Sequence, residues 1–459
     1  LIQGDYPRQS NPRGAGEVIL SELLIHTETC AETISVMPNP RDRYIRWLDG
    51  GILACLVILT AGLPYAAITT SREIGLLGGL SLWIIRMIVS RRWEFVKTPL
   101  DLPLALLLIV GMLSCFTAVD RAYTFSELRG EMIKCMLIYY LAVNNLKTEK
   151  RAKIVFGALL ASTLVMDAYG LIHYFSQGGL LWVNNYREGG LTRGCQELTT
   201  FLVQTAPFIM MGLVWFKMRW VRMLLGLFLF LHVVTLQITF SRIGLLALVI
   251  EVGLVLFLLG LSRKVIVVLV AATLITLAFI MPKPILVVGD KAKDMPHVGG
   301  LGVMEQGRSA LWLKAFDYLK EHPFSGIGFG RQSFEKKFPE MRLSNHQAWH
   351  AHSTFVNLAL ELGIQGLIVF LFLLYRIFRR LWTGRGLAAL FLRGSLSGAV
   401  MAAAWVMTAG YFIRNLTDDL YNNDSALLFW LLVGCAFSLK IFVVDRARAH
   451  RQSTTPAGP

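Results

Sequence analysis

The chain has 459 residues, of which 55% are hydrophobic and 16% charged. Soluble domains carry roughly a quarter charged residues, so this composition points to lipid as the solvent. The formal net charge of +15 would suit either a nucleic acid or an anionic membrane surface, but Lys and Arg fall in short clusters between long apolar runs. No basic stripe with interleaved aromatics is present, which speaks against nucleic acid.

Taken in order, residues 1–48 read as a cytoplasmic N-terminal tail. Residues 1–36 have no membrane-span pattern, and Met37 precedes a polar lead-in containing Arg41, Arg43 and Arg46. Met37 therefore reads as the native start and residues 1–36 as a non-native extension. A bilayer core needs about 20 apolar residues per helix. That criterion predicts an all-α polytopic membrane protein with about twelve transmembrane helices, at 50–70, 74–90, 101–118, 131–146, 154–175, 198–216, 222–240, 243–261, 265–281, 354–375, 393–412 and 425–444. In domain terms, 49–281 holds helices 1–9, 282–352 is a large loop, 353–445 holds helices 10–12, and 446–459 is a second cytoplasmic tail.

Alternate loops are basic: Arg91/Arg92/Lys97, Lys147 to Lys153, Lys217 to Arg222, Arg263/Lys264 and Arg376 to Arg385. The positive-inside rule places these, with both termini, in the cytoplasm. The opposite loops, including the one over 282–352, should face the periplasm. Six cysteines (Cys30, Cys55, Cys115, Cys135, Cys195 and Cys435) lack metal-ligand spacing, and no disulfide framework is expected.

The 282–352 loop is too long for a simple connection, and connections of that length are usually functional or disordered. Within it, Leu311/Trp312, Ala315/Phe316 and Leu319 recur at helical spacing from Arg308 to Glu321, before Pro323. This predicts an amphipathic helix on the membrane surface or over the bundle.

Three constellations could carry chemistry. The loop ends in His350-Ala351-His352-Ser353. Ser353 can cap a following helix, which puts His352 at a positive helix end that favours neutral imidazole, able to take a hydroxyl proton. Spacing alone leaves open an interfacial histidine without a catalytic role. Metal binding by His346, His350 and His352 is a third reading, weakened because no carboxylate joins them at ligand spacing. Arg193, Arg242 and Arg308 fall on the same predicted side. Guanidinium forks suit a lipid pyrophosphate, although snorkelling and loop ion pairs also explain such arginines. Gly326-Ile327-Gly328-Phe329-Gly330 lacks the Lys-Ser/Thr of a phosphate loop and reads as a tight turn. Among charges inside spans (Arg86, Lys134, Asp167, Glu251, Lys440), Glu251 is the best proton-relay candidate.

His352-Ser353, then nine residues, then Gly363-Ile364-Gln365-Gly366 resembles the signature of bacterial O-antigen ligases. Gly307-Arg308-Ser309-Ala310-Leu311-Trp312, the run from His322 to Gly328, and Ser241-Arg242 opening a span resemble the same superfamily. That superfamily also holds O-antigen polymerases and protein O-oligosaccharyltransferases. The resemblance implies a GT-C-like inner-membrane glycosyltransferase of lipopolysaccharide biosynthesis. Its donor would be a glycan on undecaprenyl pyrophosphate and its acceptor lipid A-core. His352 would be the base, with Arg242, Arg308 and Arg193 on the pyrophosphate and His350 and Ser353 in support. Transfer would invert configuration without metal, ATP or other cofactor. A transporter or flippase would instead place polar groups near the midplane within internal repeats, and no repeat is evident.

Overall fold

The computed structural model describes residues 40–181, 187–280, 301–344, 349–382, 396–419, 421 and 423–445. Residues 1–36 with Met37, the start of the long loop, His346 and the 446–459 tail lie outside them. The described residues are helical throughout, apart from short connections. Helices α1 (Pro40–Gly62) and α2 (Thr69–Ser90) pack along each other, followed by α3 (Asp101–Thr117) and the short α4 (Arg121–Glu127). A π-helical segment, Leu128–Ile133, leads into α5 (Lys134–Asn145). Then come α6 (Glu149–Ser176), α7 (Cys195–Trp215), α8 (Arg219–Ile238), α9 (Arg242–Leu258) and α10 (Arg263–Ile280). The long loop contributes α11 (Leu301–Glu321), α12 (Ser333–Lys337) and α13 (Pro339–Ser344). The chain closes with α14 (Thr354–Leu362), α15 (Ile364–Leu381), α16 (Leu396–Arg414) and α17 (Asn423–Leu439).

Seven helices among the described residues are long and apolar enough to cross a membrane, not twelve. They are Arg41–Gly62, Ala66–Ser90, Glu149–Ser176, Cys195–Trp215, Arg219–Ile238, Leu396–Arg414 and Asp424–Phe442. The expected count fails because an apolar run also forms a helix that is short or packed inside protein. Helices α3 and α9 have 17 residues each, about 25 Å of rise against a hydrocarbon core of about 30 Å. The 131–146 run is interrupted by the π segment, and the 354–375 run is two helices, α14 and α15, broken at Gly363 with φ +77°. The chain is nonetheless a polytopic membrane protein. Helices α7, α16 and α17 form its interior, while α1, α2 and α8 expose more of their surface.

Charges inside the apolar helices are mostly paired. Arg86 meets Asp49 at 2.6 Å and Glu94 at 3.5 Å, Lys134 meets Glu73, Lys440 meets the Arg380 carbonyl, and Asp167 meets His232 Nδ1 at 2.8 Å. Glu251 is fully buried against Gly410 of α16, and neither carboxyl oxygen has a hydrogen-bond partner among the described residues.

The loop helices build their own small core. Leu311 and Ala315 of α11 pack with Ile327, Phe334, Phe338, Ala351 and Leu360. The glycine run is the strap that joins this core to the bundle. Ile327 N–H donates to the Leu360 carbonyl (3.0 Å) and Gly328 N–H to that of Glu361 (3.1 Å), satisfying carbonyls at the end of α14, while the Ile327 carbonyl accepts from Val119 N–H (3.0 Å). Gly328 and Gly330 have φ of +100° and +128°, a region open to glycine. At Gly326 a methyl would overlap the Glu361 carbonyl.

Gly326→Ala should therefore push the strap off α14 and cost about 1–3 kcal/mol. Thermal unfolding in detergent should show a clear drop for this variant. Gly50→Ala, where a methyl meets no atom within 4 Å, should not lower the midpoint. Equal midpoints for the two variants would show that the strap tolerates displacement.

Candidate functional site

The nine residues between Ser353 and Gly363 are α14 itself. The helix starts where a chain of backbone and side-chain bonds docks it on the end of α16. Thr354 N–H donates to the carbonyls of Asn415 (3.1 Å) and Asp418 (3.3 Å), so orphan donors of one helix meet carbonyls just beyond another. Thr354 Oγ1 lies 2.6 Å from Asn415 Oδ1 and 2.9 Å from Asp419 Oδ1, which share its one hydroxyl hydrogen, and Asn357 Nδ2 donates to Asp419 Oδ2 (2.7 Å). Asn357 Oδ1 reaches back to accept from Ala351 N–H at 2.8 Å. Ser353 occupies the N-cap position, but its hydroxyl makes no capping bond. The residues that hold the helix start are Thr354 and Asn357.

This docking fixes His352. Its φ is +49°, a left-handed conformation costing about 1–3 kcal/mol for a residue with a side chain. The backbone is held there by its own N–H, which donates to His350 Nδ1 at 2.9 Å. The turn places the two imidazole rings 4.1 Å apart between centroids and points His352 Nδ1 at Asp418 Oδ1, 3.4 Å away. The α11 indole of Trp312 donates to the Ala351 carbonyl between them, at 2.6 Å.

Charge around the histidines is predominantly positive. Arg331, which follows the glycine strap, reaches His350 Nε2 at 2.7 Å, and its Nε lies 3.8 Å from Asp419. Arg414 NH2 lies 3.5 Å from Asp418 Oδ2. Burial holds His350 well below the usual imidazole range, with the charges of Arg331, His352 and Arg308 acting in the same direction and Asp418 opposing them. Asp418 is also held low, which in a carboxyl group favours the charged form. Burial alone would raise it, but the His352 hydrogen bond and the Arg414 charge overcome this and hold the carboxyl well below the carboxylate range. The site is thus a neutral His350 beside a firmly ionised Asp418 that faces His352.

The structure gathers His350, His352 and Arg308, the last acting on both His350 and Arg414. Arg193 lies in another ion-pair group: its guanidinium is 3.8 Å from Asp424, which also binds the buried Arg72. Arg242 stands exposed at the start of α9, where Ser241 caps the helix through Gly244 N–H at 3.3 Å. The loop bearing Arg193 and this turn are tied by Glu188 N–H to the Ile238 carbonyl, at 3.2 Å.

Asp418, Asp419, Arg331 and Arg414 were not singled out from sequence. The two aspartates lie 66 and 67 residues beyond His352 in number, and only the polar run Asn415–Asp419 after an apolar helix hints at them. Asp418 also supplies the carboxylate that sequence spacing did not offer the histidines. One ligand atom each from His350, His352 and Asp418 lie within 4.8 Å of one another, close enough to hold a metal ion. The surroundings fit an anion better. A neutral His350 has a single lone pair, and each of its nitrogens already faces a donor, the His352 N–H or the Arg331 guanidinium, so a cation bound there would have to displace one. Three guanidinium groups, of Arg308, Arg331 and Arg414, would also repel it.

Residues 227–371 match the model of the O-antigen ligase family. None of the curated proteins matches the chain. The family match carries the resemblance seen in the His352–Gly366 signature, and with it a transferase-type enzyme activity. It takes in Arg242, Arg308, Arg331, His350 and His352, and lies between Arg193 on one side and Arg414 and Asp418 on the other.

The His350 environment has a consequence for pH. A histidine ordinarily titrates near 6.5, and below that pH the unfolded chain binds a proton that native His350 refuses. Its contribution to stability is complete above about 6.5 and falls as the pH drops through that value, by up to about 1.4 kcal/mol per unit. Unfolding midpoints measured at pH 7.5 and 5.5 should fall more for the wild type than for His350→Gln. An identical fall in both would mean that His350 is readily protonated in the native state.

Proposed function

We propose that the protein is an O-antigen ligase that transfers a glycan from undecaprenyl pyrophosphate to a sugar hydroxyl of lipid A-core. The observation carrying this reading is the His352–Asp418 contact, with Arg414 against Asp418 and Arg331 against His350, at the helix start that the family signature encodes. Asp418 accepts from His352 Nδ1–H and holds that tautomer, leaving Nε2 as the basic nitrogen. His352 takes the proton of the acceptor hydroxyl as its oxygen attacks the anomeric carbon. The bond from that carbon to the pyrophosphate oxygen breaks on the opposite face, so configuration inverts.

Charge grows on the departing pyrophosphate, and Arg308 and Arg242 stabilise it, with Arg193 at the edge of the same region. Preorganised donors of this kind typically contribute 10²–10³-fold in rate. The glycosyl pyrophosphate supplies the driving force, so neither ATP nor a metal is needed, in keeping with the positive surroundings of the histidines. The basic loops support an inner-membrane orientation with both termini cytoplasmic and the site open to the periplasm, where the donor glycan is presented.

Purified protein mixed with lipid-linked glycan and lipid A-core should yield capped lipid A. Chains lengthening on the lipid carrier without capped lipid A would assign the protein to polymerisation instead. His352→Ala should lower transfer by about 10²–10⁴-fold while the protein still purifies folded. Wild-type turnover in that variant would remove the base from the mechanism. Arg308→Lys should also lose most of its rate, because a point charge does not replace a bidentate fork. Retained turnover would make Arg308 a structural residue.

A further inference from the structure

Arg414 is the last residue of α16 and is 1% exposed. Burying a guanidinium costs several kcal/mol unless acceptors surround it. Its NH2 group meets two: the side-chain carbonyl of Gln196, in the first turn of α7, and Asp418 Oδ2 at 3.5 Å. Its Nε is sealed from solvent with no hydrogen-bond partner among the described residues. A group so enclosed is not on offer to a substrate.

The two oxygens of Asp418 are divided between neighbours. Oδ2 faces Arg414, whereas Oδ1 lies 3.4 Å from His352 Nδ1 and accepts from Asp419 N–H at 2.9 Å. Rotation of the carboxylate would break contacts on both sides at once. The chain Gln196–Arg414–Asp418–His352 therefore crosses from α7 through the end of α16 to the start of α14. Other charged or titratable groups facing it are Cys195, in the first turn of α7, Arg308, from α11, Arg331, after the strap, Asp419 and His350.

We propose that Arg414 is a positioning residue for glycan transfer, acting through Asp418 to fix the carboxylate against which His352 is set. This inference rests on the reading of His352 as the base. Arg414 neither touches the donor nor takes a proton; it keeps Oδ1 directed at His352 Nδ1, with Gln196 holding the guanidinium from behind. Direct pyrophosphate binding by Arg414 is the competing role, and the two differ in kinetics. A positioning residue acts only through Asp418, so its loss costs little further once Asp418 is gone, whereas a phosphate ligand raises donor KM or lowers kcat independently of Asp418.

The test is steady-state transfer from lipid-linked glycan to lipid A-core by the full-length protein. Arg414→Gln should lower kcat about 10–100-fold with donor KM changed by less than about twofold. In an Asp418→Asn background, the same substitution should lower kcat by less than about twofold further, because the intermediary is already lost. Should Arg414→Gln fail to fold, Gln196→Ala keeps the charge and removes only its anchor. That variant should show a smaller kcat loss, again absent in the Asp418→Asn background.

Wild-type kcat in folded Arg414→Gln, or in Gln196→Ala where that is the variant measured, overturns the inference. So does a raised donor KM with kcat kept, or losses that multiply in the double variant. The His352→Ala result separates the two levels. If that variant turns over normally, the base reading fails and takes this one with it. If it is inactive while Arg414→Gln is not, the base stands and only the positioning role falls.

Discussion

The docking of α14 on the end of α16 is the contact on which the site depends. A helix start has N–H groups without partners, and the turn after a helix end has carbonyls in the same condition. Here each satisfies the other, through Thr354 N–H and the carbonyls of Asn415 and Asp418. Thr354, Asn357 and Asp419 add side-chain bonds in a buried setting, where unmade bonds are costly and made ones are rigid. The strained backbone of His352 persists because this lattice leaves it no alternative, and the same lattice brings Asp418 to its ring.

Electrostatics then gives the site its sign. Guanidinium groups arrive from three elements: Arg308 on α11, Arg331 after the glycine strap, and Arg414 at the end of α16. Burial, aided by Arg331 and Arg308, keeps His350 neutral, the His352 hydrogen bond and Arg414 keep Asp418 ionised, and the three guanidinium charges favour anions beside them. A separate ion-pair group joins Arg72 and Arg193 to Asp424, with Glu73 and Glu197 also acting on Arg72. An anion fits the field of the three guanidinium groups better than a bare cation.

The sequence disclosed the parts of the site that are close together in the chain. His352, Ser353 and Gly363 were legible because one short helix separates them, and Arg308 because it opens the periodic stretch that becomes the buried face of α11. Asp418 was not legible, since its nearness to His352 is created by two helix ends meeting, not by spacing. The span count erred for a related reason. Leu, Val and Ile are as suited to a protein interior as to lipid, so α3 and α9 read like spans until their lengths are seen. The break at Gly363 was visible as a residue but not as a turn, because its apolar neighbours continue the run on both sides.

Helix α14 also sets a distance. Nine residues rise about 13–14 Å, and each residue turns the helix by about 100°. Its start is fixed by α16 and its end by the glycine strap and the Gly363 turn, so both ends are clamped. All nine of its residues are buried or half-buried, so it is held along its length as well. A single inserted or deleted residue would leave the two ends out of phase, swinging His352 away from Asp418 even with every side chain retained. The constant in this motif is therefore a length and an angle: the interval of nine between the histidine–serine pair and the glycine acts as a ruler, and the family signature reads as the record of a measured gap.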